Sequence, residues 1–401
     1  MTAASPRKPV PRGLAHTGPI ILAYGFRPFF LAAGLWAIAA MALWIVALIS
    51  GFPIGGSYGG PAWHAHEMLF GYTSAALAGF LLTAIPNWTG RLPVSGLPLA
   101  ILFAVWLAGR LALIVPDTLG LPLAIALDIA FLPLLLAICL REIVAGKKWR
   151  DLKVLAGLAA LALANAGFHA LIVWNGDPGL ASRLAVSAYI MLIGIVGGRI
   201  VPSFTRNWLA KRHVISLPAP YDRLDTTALL AALPALALWV ALPEHWLTSV
   251  AALAAGVLHL WRLGRWQGWQ TGAERLVLVL HCAYLFVPLG FLAIALVPVG
   301  WLDAAAALHV FTVGAIGLMT LAVMSRATRG HTGLPLTAPW TTALSYALLL
   351  LATILRPAAN LFPDYYMRLV ELSGLFWILA FGLYVFEYAP AILGRRKPRA
   401  E

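Results

Sequence analysis

A chain of 401 residues that is 61% hydrophobic and only 11% charged cannot be a water-facing globule, because soluble domains run near a quarter charged. Its apolar residues form long runs rather than short alternating segments, which excludes an outer-membrane β-barrel. A formal net charge of +13 raises nucleic acid as a partner, and the placement of that charge removes it.

About twelve runs reach the ~17–25 residues needed to cross a hydrocarbon core roughly 30 Å thick. In chain order they are Phe29–Ser50, Glu67–Ile85, Leu97–Val115, Leu121–Leu140, Leu152–Trp174 and Arg183–Val201. Thr226–Leu242, Trp246–Trp261, Arg275–Val297, Leu302–Ser325, Trp340–Leu355 and Met367–Leu393 follow. The eighth run is short and reads as a half-span or re-entrant segment. The expected fold class is an all-α integral membrane protein with residues 29–393 as a single twelve-helix domain. Basic cytoplasmic tails at 1–28 and 394–401 flank it.

Most of the 28 Lys and Arg residues lie at alternate ends of the runs. Arg7, Lys8, Arg12 and Arg27 precede the first run, and Arg91 follows the second. Arg141, Lys147, Lys148, Arg150 and Lys153 follow the fourth; Arg206, Lys211, Arg212 and Arg223 follow the sixth. Arg262, Arg265 and Arg275 follow the eighth, Arg326 and Arg329 the tenth, and Arg395, Arg396, Lys397 and Arg399 the last. The other ends hold Arg183, Arg356 and Arg368. Positive loops stay in the cytoplasm, so both termini are expected there. No cleavable leader is expected ahead of the first run. The longest polar stretches are the N-terminal tail and Pro202–Asp225. Cys139 and Cys282 stand alone inside runs, with no Cys-x-x-Cys-His for covalent haem.

The second and tenth runs share a pattern. His66 and His309 stand near their starts, and at equal separation follow the pairs Thr89-Gly90 and Thr332-Gly333. A four-helix repeat would make runs two, six and ten equivalent, although the sixth has no such histidine.

Of ten histidines, His16, His213, His245 and His331 are read as lying in tails or loops. Helical rise sorts the others by depth. His169 and His309 fall roughly 7–8 Å outside the midplane, and His259 and His281 roughly as far inside. His64 and His66 sit at the outer mouth of the second run. Intramembrane polar groups cost a few kcal/mol unless satisfied, and they mark sites or pathways. A hydrogen bond to a neighbouring carbonyl is the plain alternative for any one of them. Imidazoles at two matched depths suit copper or haem iron. In Trp63-His64-Ala65-His66-Glu67-Met68, positions two apart diverge by about 200° on a regular helix. His64 and His66 therefore serve different partners, or the backbone there is irregular. Met68 offers a soft thioether. Glu67 is a candidate catalytic proton donor, or it orients a histidine. Gly71, Gly79 and Gly314-x-x-Gly317 permit close packing of helices or of a flat macrocycle. Arg110 and Arg199 could pair a propionate or snorkel to the interface, and Arg262, Arg265 and Arg275 beside Trp266 could do the former.

Phe26-Arg27-Pro28-Phe29-Phe30, the Trp63–Met68 motif and Ala78–Gly90 closely resemble the NnrS family. So do Gly198–Asn207, His309–Thr320, Met324-Ser325-Arg326 and Gly330-His331-Thr332-Gly333, so the likeness runs from about Phe26 to Arg329 and beyond. This resemblance implies a twelve-helix protein of the bacterial cytoplasmic membrane that contains haem and copper and is associated with nitric oxide metabolism and resistance. The expected cofactors are therefore non-covalent b-type haem and copper. His64, His66, His169, His309, His259 and His281 are candidate metal or haem ligands, and Arg199 is a candidate cofactor contact. The expected small-molecule partner is nitric oxide, with the lipid bilayer around the protein and no nucleic acid. Three functions compete: an oxidoreductase converting NO to N₂O, a transporter of copper, haem or an iron–nitrosyl species, and a sensor or maintenance protein that binds NO without turnover.

Reporter fusions after residue 223 and at the C-terminus should both read cytoplasmic, and one in Asn175–Leu180 should read periplasmic. A periplasmic C-terminus would overturn the even helix count, because inside charge sets orientation.

Overall fold

The computed structural model describes residues 18–395. Arg7, Lys8, Arg12, His16, Arg396, Lys397 and Arg399 lie outside the described residues. Within them the chain is all-helical, and twelve helices are long and apolar enough to cross a membrane. They are α1 (Phe26–Ser50), α2 (Gly60–Thr89), α3 (Leu97–Ile114), α4 (Leu121–Ala145), α5 (Trp149–Val173) and α6 (Gly179–Ala210). The rest are α7 (Arg223–Ala241), α8 (Trp246–Gly264), α9 (Arg275–Leu296), α10 (Ala304–Thr332), α11 (Trp340–Leu361) and α12 (Pro363–Leu393).

Two expectations are corrected here. α8 is a full helix of 19 residues, not a half-span. His331 belongs to the last turn of α10 rather than a loop. α2 also starts earlier than its apolar run, at Gly60-Pro61, where proline's fixed φ suits a first turn. His64 and His66 are therefore already helical.

Sequential helices pack as neighbours, and α1 packs along α12, so the first and last spans meet. Arg27, at the start of α1, is 2% exposed. Its guanidinium donates to the carbonyls of Ile392 and, at 2.9 Å, Gly394, which takes up the orphan carbonyls where α12 ends. α2, α6, α9 and α10 are the most buried spans, and α2, α6 and α10 each touch the other two.

Those three helices share one irregularity. π-helical turns occupy Glu67–Tyr72 in α2, Ile193–Gly197 in α6 and Val310–Gly317 in α10, and nowhere else among the described residues. The interruption recurs every fourth span, immediately after His66 and after His309, and it is kept in α6, which has no histidine there. A wide turn displaces carbonyls from the helical ladder, and in a bilayer each needs another donor. Leu69 accepts from the Tyr189 hydroxyl (2.8 Å), Gly71 from the Trp106 indole (3.0 Å), Gly194 from Arg262 (2.9 Å) and Gly317 from Thr320 (2.8 Å). The small residues serve packing: Gly79 abuts Phe30, Gly314 abuts Phe286 and Gly317 abuts Trp377.

The repeated Thr-Gly pairs are helix stops. Gly90 and Gly333 take φ of 74° and 80° and cap α2 and α10. Gly90→Ala and Gly333→Ala should each cost roughly 1–2 kcal/mol, because a Cβ is crowded in the left-handed region. Thermal unfolding in detergent would read the loss, which should be smaller for Asn at either site.

Candidate metal and haem sites

The outer histidines separate into two sets on opposite sides of α2, as their spacing on a helix requires. His64 stacks on Trp44 of α1, with centroids 4.7 Å apart and planes at 15°. It lines a cavity of about 270 Å³ with His309 of α10, Met68, Tyr72, Trp377 and Arg356. His309 Nδ1 lies 2.6 Å from the Ala305 carbonyl. Donation there fixes the tautomer and leaves Nε2 as the nitrogen with a free lone pair. His64 Nδ1 is buried with no hydrogen-bond partner. Buried polar atoms are normally satisfied, so an orphan in a cavity wall points to an absent partner. Arg356, near the outer end of α11, bonds Asn360 at 3.0 Å and leaves the cavity one cation at its edge.

His66 turns the other way, into a polar cluster among α2, α3, α4 and α5. Its Nε2 is 2.9 Å from Asn165 Oδ1 and 3.2 Å from Asp128 Oδ2, and its Nδ1 is 3.2 Å from Glu67 Oε1. His169 Nε2 is 2.8 Å from the same Asp128 oxygen, and its Nδ1 is 3.3 Å from the Tyr58 hydroxyl. Asn165 donates to Asp128 at 2.8 Å. One nitrogen from each histidine and one Asp128 oxygen lie within 4.8 Å of one another. His₂-carboxylate is a recognised metal-binding donor set.

Arg110 binds this cluster together. Its Nη1 lies 2.7 Å from both Glu67 oxygens, and its Nη2 contacts Asp128. Glu67 also accepts from the Trp36 indole at 2.7 Å. All these charged groups are at most 2% exposed. Gly71 makes room, since a Cβ there would sit 2.6–2.8 Å from Glu67, Arg110 and Trp36. Arg110 is thus not a snorkelling residue: it points into the bundle because two carboxylates await it there. Glu67 is not the lone acid beside the histidines, and it is absent from the wall of the His64–His309 cavity. Every Glu67 oxygen is engaged, which suits an orienting group better than a proton carrier.

The two deeper histidines bind different partners. His259 Nδ1 pairs with the Tyr284 hydroxyl at 2.8 Å, and His281 Nε2 with Thr205 at 2.7 Å. A chain of rings, His259–Tyr284–Trp266–His281, lies between them. Their remaining nitrogens, His259 Nε2 and His281 Nδ1, have no partner. Arg262 is fully buried and pairs with Asp225 (2.8 Å), Gly194 and Tyr284 (2.7 Å), while its Nη2 has no partner. Arg265 pairs with Asp222, Arg199 pairs with Asp151 at 2.8 Å, and Arg275 is exposed.

Sequence reasoning missed Asp128, Asn165, Tyr58 and the anchoring position of Arg356. A signal existed for one pair: Arg110 and Asp128 are single charges within adjacent apolar runs, and in lipid each requires the other. Arg110→Ala should cost about 3–5 kcal/mol, because two buried carboxylates lose their counter-charge. Arg110→Lys should recover part of that, since an ammonium keeps the charge but not the forked geometry. Thermal unfolding in detergent measures both.

The family described as NnrS protein matches residues 20–396. No curated protein matches the chain. The family match spans nearly every described residue, including both histidine sets and all twelve helices, and the chain belongs to the NnrS family, whose membrane proteins are linked to nitric oxide metabolism.

Proposed function

We propose that this protein binds nitric oxide at haem held in the His64–His309 cavity and reduces it to N₂O, with copper at His66, Asp128 and His169. The observation that carries the proposal is the cavity itself. It is flat-walled by Trp44 and Trp377, bears an imidazole from each of α2 and α10, and has Arg356 placed for a carboxylate. The free His309 nitrogen and the orphaned His64 nitrogen are the atoms that would hold the haem iron. Haem would supply an iron with an open position for a neutral gas; the chain supplies its orientation and exclusion of water.

Charge supports a singly charged cation in the second cluster. Glu67 and Asp128 against Arg110 leave one negative charge in a site sealed from solvent. Low-dielectric surroundings penalise that imbalance, and cuprous copper or one proton on the histidines removes it. Glu67 acts here as a positioning residue that holds His66 Nδ1 while Nε2 faces the ligand position.

Because the two sets lie on opposite sides of α2, they do not share one space where two NO molecules could be joined between metals. Copper held by His66, Asp128 and His169 would supply an electron rather than a binding place for the second NO. The same separation favours a second reading, NO binding without turnover. The net reaction 2 NO + 2 e⁻ + 2 H⁺ → N₂O + H₂O decides between them. The alternation of basic loops supports placement in a bacterial cytoplasmic membrane, with both histidine sets in its periplasmic half.

The purified protein should carry haem extractable by acid acetone, with His64→Ala and His309→Ala losing the Soret band. His66→Ala and His169→Ala should lose copper and keep haem. Glu67→Gln should lower copper affinity about 10–100-fold together with activity, the usual effect of removing a group that orients a ligand. Anaerobic, reduced protein given NO should release N₂O beyond one equivalent. A nitrosyl spectrum without such release leaves binding as the function.

A further inference from the structure

Between α2, α6 and α10, at the level of their π-turns and just beyond, lies a second cavity of about 90 Å³. Ala76, Leu77, Leu192, Val196, Met319 and Val323 are typical of its walls. Its side-chain hydroxyls are already used. Thr73 donates to the Met68 carbonyl (2.7 Å), Tyr189 to Leu69 (2.8 Å), and Thr320 to Ile316 and Gly317 (2.9 and 2.8 Å) while also contacting the Tyr72 hydroxyl. A water needs two to four polar partners, so an apolar cavity of this kind stays dry and takes up apolar guests such as xenon.

The cavity adjoins both of its neighbours. Thr73 and Ile316 are shared with the wall of the His64–His309 cavity. Phe80, Ile200 and Val323 are shared with a cavity of about 310 Å³ toward the basic face, where Asn87, Arg326 and His331 add polar groups. The middle cavity shares walls with both of the others, and polar side chains line the outer two while its own wall is almost wholly apolar. An ion entering the dry section would lose its hydration with nothing to replace it, at a cost of several kcal/mol. At about 90 Å³ it has roughly a third of the room of either neighbour, which favours a small guest. What fits is a neutral molecule of two or three atoms.

We propose that this dry cavity is a docking station for a neutral diatomic gas, one wall away from the His64–His309 cavity. It holds a second gas molecule in reserve while the first is bound. The proposal rests on the reading of that neighbouring cavity as the gas-binding site. It gives the π-turns a use, since they splay the three helices where the station lies. It also meets a need left by the separated histidine sets, because a second NO has no metal of its own to wait on.

The test uses xenon and carbon monoxide as probes on the full-length protein. Crystals pressurised with xenon should show density among Ala76, Val196 and Met319, a readout independent of haem. In solution, flash photolysis of the CO adduct should show a geminate phase from gas held in the station. Ala76→Leu, which fills the cavity, should abolish the xenon density and reduce that phase several-fold. Val323→Ala, which enlarges it, should increase both. Xenon confined to the His64–His309 cavity, or an unchanged geminate phase in both variants, would overturn the station while leaving the gas-binding site intact. If no CO adduct forms, the functional reading fails, and xenon occupancy in the wild type and Val323→Ala still decides whether the station exists.

Discussion

The facing of both α2 histidines, and the carboxylate between His66 and His169, depend on one guanidinium. Arg110, 2% exposed and within the apolar span α3, is held by Glu67 on α2 and Asp128 on α4. Neither carboxylate could be buried without it, and the desolvation cost of three charges is recovered only if their geometry is fixed. Fixing it orients α2 about its own axis. With Glu67 turned toward α3, His66 must face α4 and α5, and His64 must face α1 and α10. Gly71 permits the approach, and the π-turn beginning at Glu67 adjusts the register below it. The opposed facing of His64 and His66 is thus a consequence of the charge arrangement around Arg110.

The twelve spans were legible because hydrocarbon thickness dictates their length, and the divergence of His64 from His66 because helical geometry dictates that. Helical rise gives each histidine an expected depth, but depth does not determine azimuth. His169 and His309 are expected at one level and belong to different sets; His259 and His281 are expected at another and face different partners. Rotation about a helix axis is decided by partners on other helices, and these leave little trace in one sequence. Asp128 illustrates the difficulty. A single acid in α4 barely alters the hydropathy of that run, yet its oxygen is the point on which two imidazoles converge.

The likeness between the second and tenth runs has a structural counterpart wider than its motif. A wide turn recurs in α6, where the histidine does not. Backbone irregularity, rather than ligand identity, is what the three central helices have in common. Each opening has a carbonyl taken up by a side chain: Trp106 and Tyr189, from other helices, at α2, Arg262 from α8 at α6, and Thr320 of α10 itself at α10. A helix that is bent and satisfied in this way can leave space at the centre of the bundle without exposing its own amides to lipid.

The meeting of α1 with α12 bears on how the protein is made. Synthesis delivers α1 to the bilayer before α12, and the carbonyls that receive Arg27 belong to Ile392 and Gly394 at the far end of α12. Until α12 is made the guanidinium must remain among lipid headgroups, reaching outward along its aliphatic stem. Withdrawal from that surface into the bundle therefore waits on α12, and the bundle stays open on that side until then. A cavity bordered by α1, α2, α10, α11 and α12 is accessible from the bilayer throughout that interval. Any large, flat cofactor destined for it has a natural time of entry, before the last span swings in against the first.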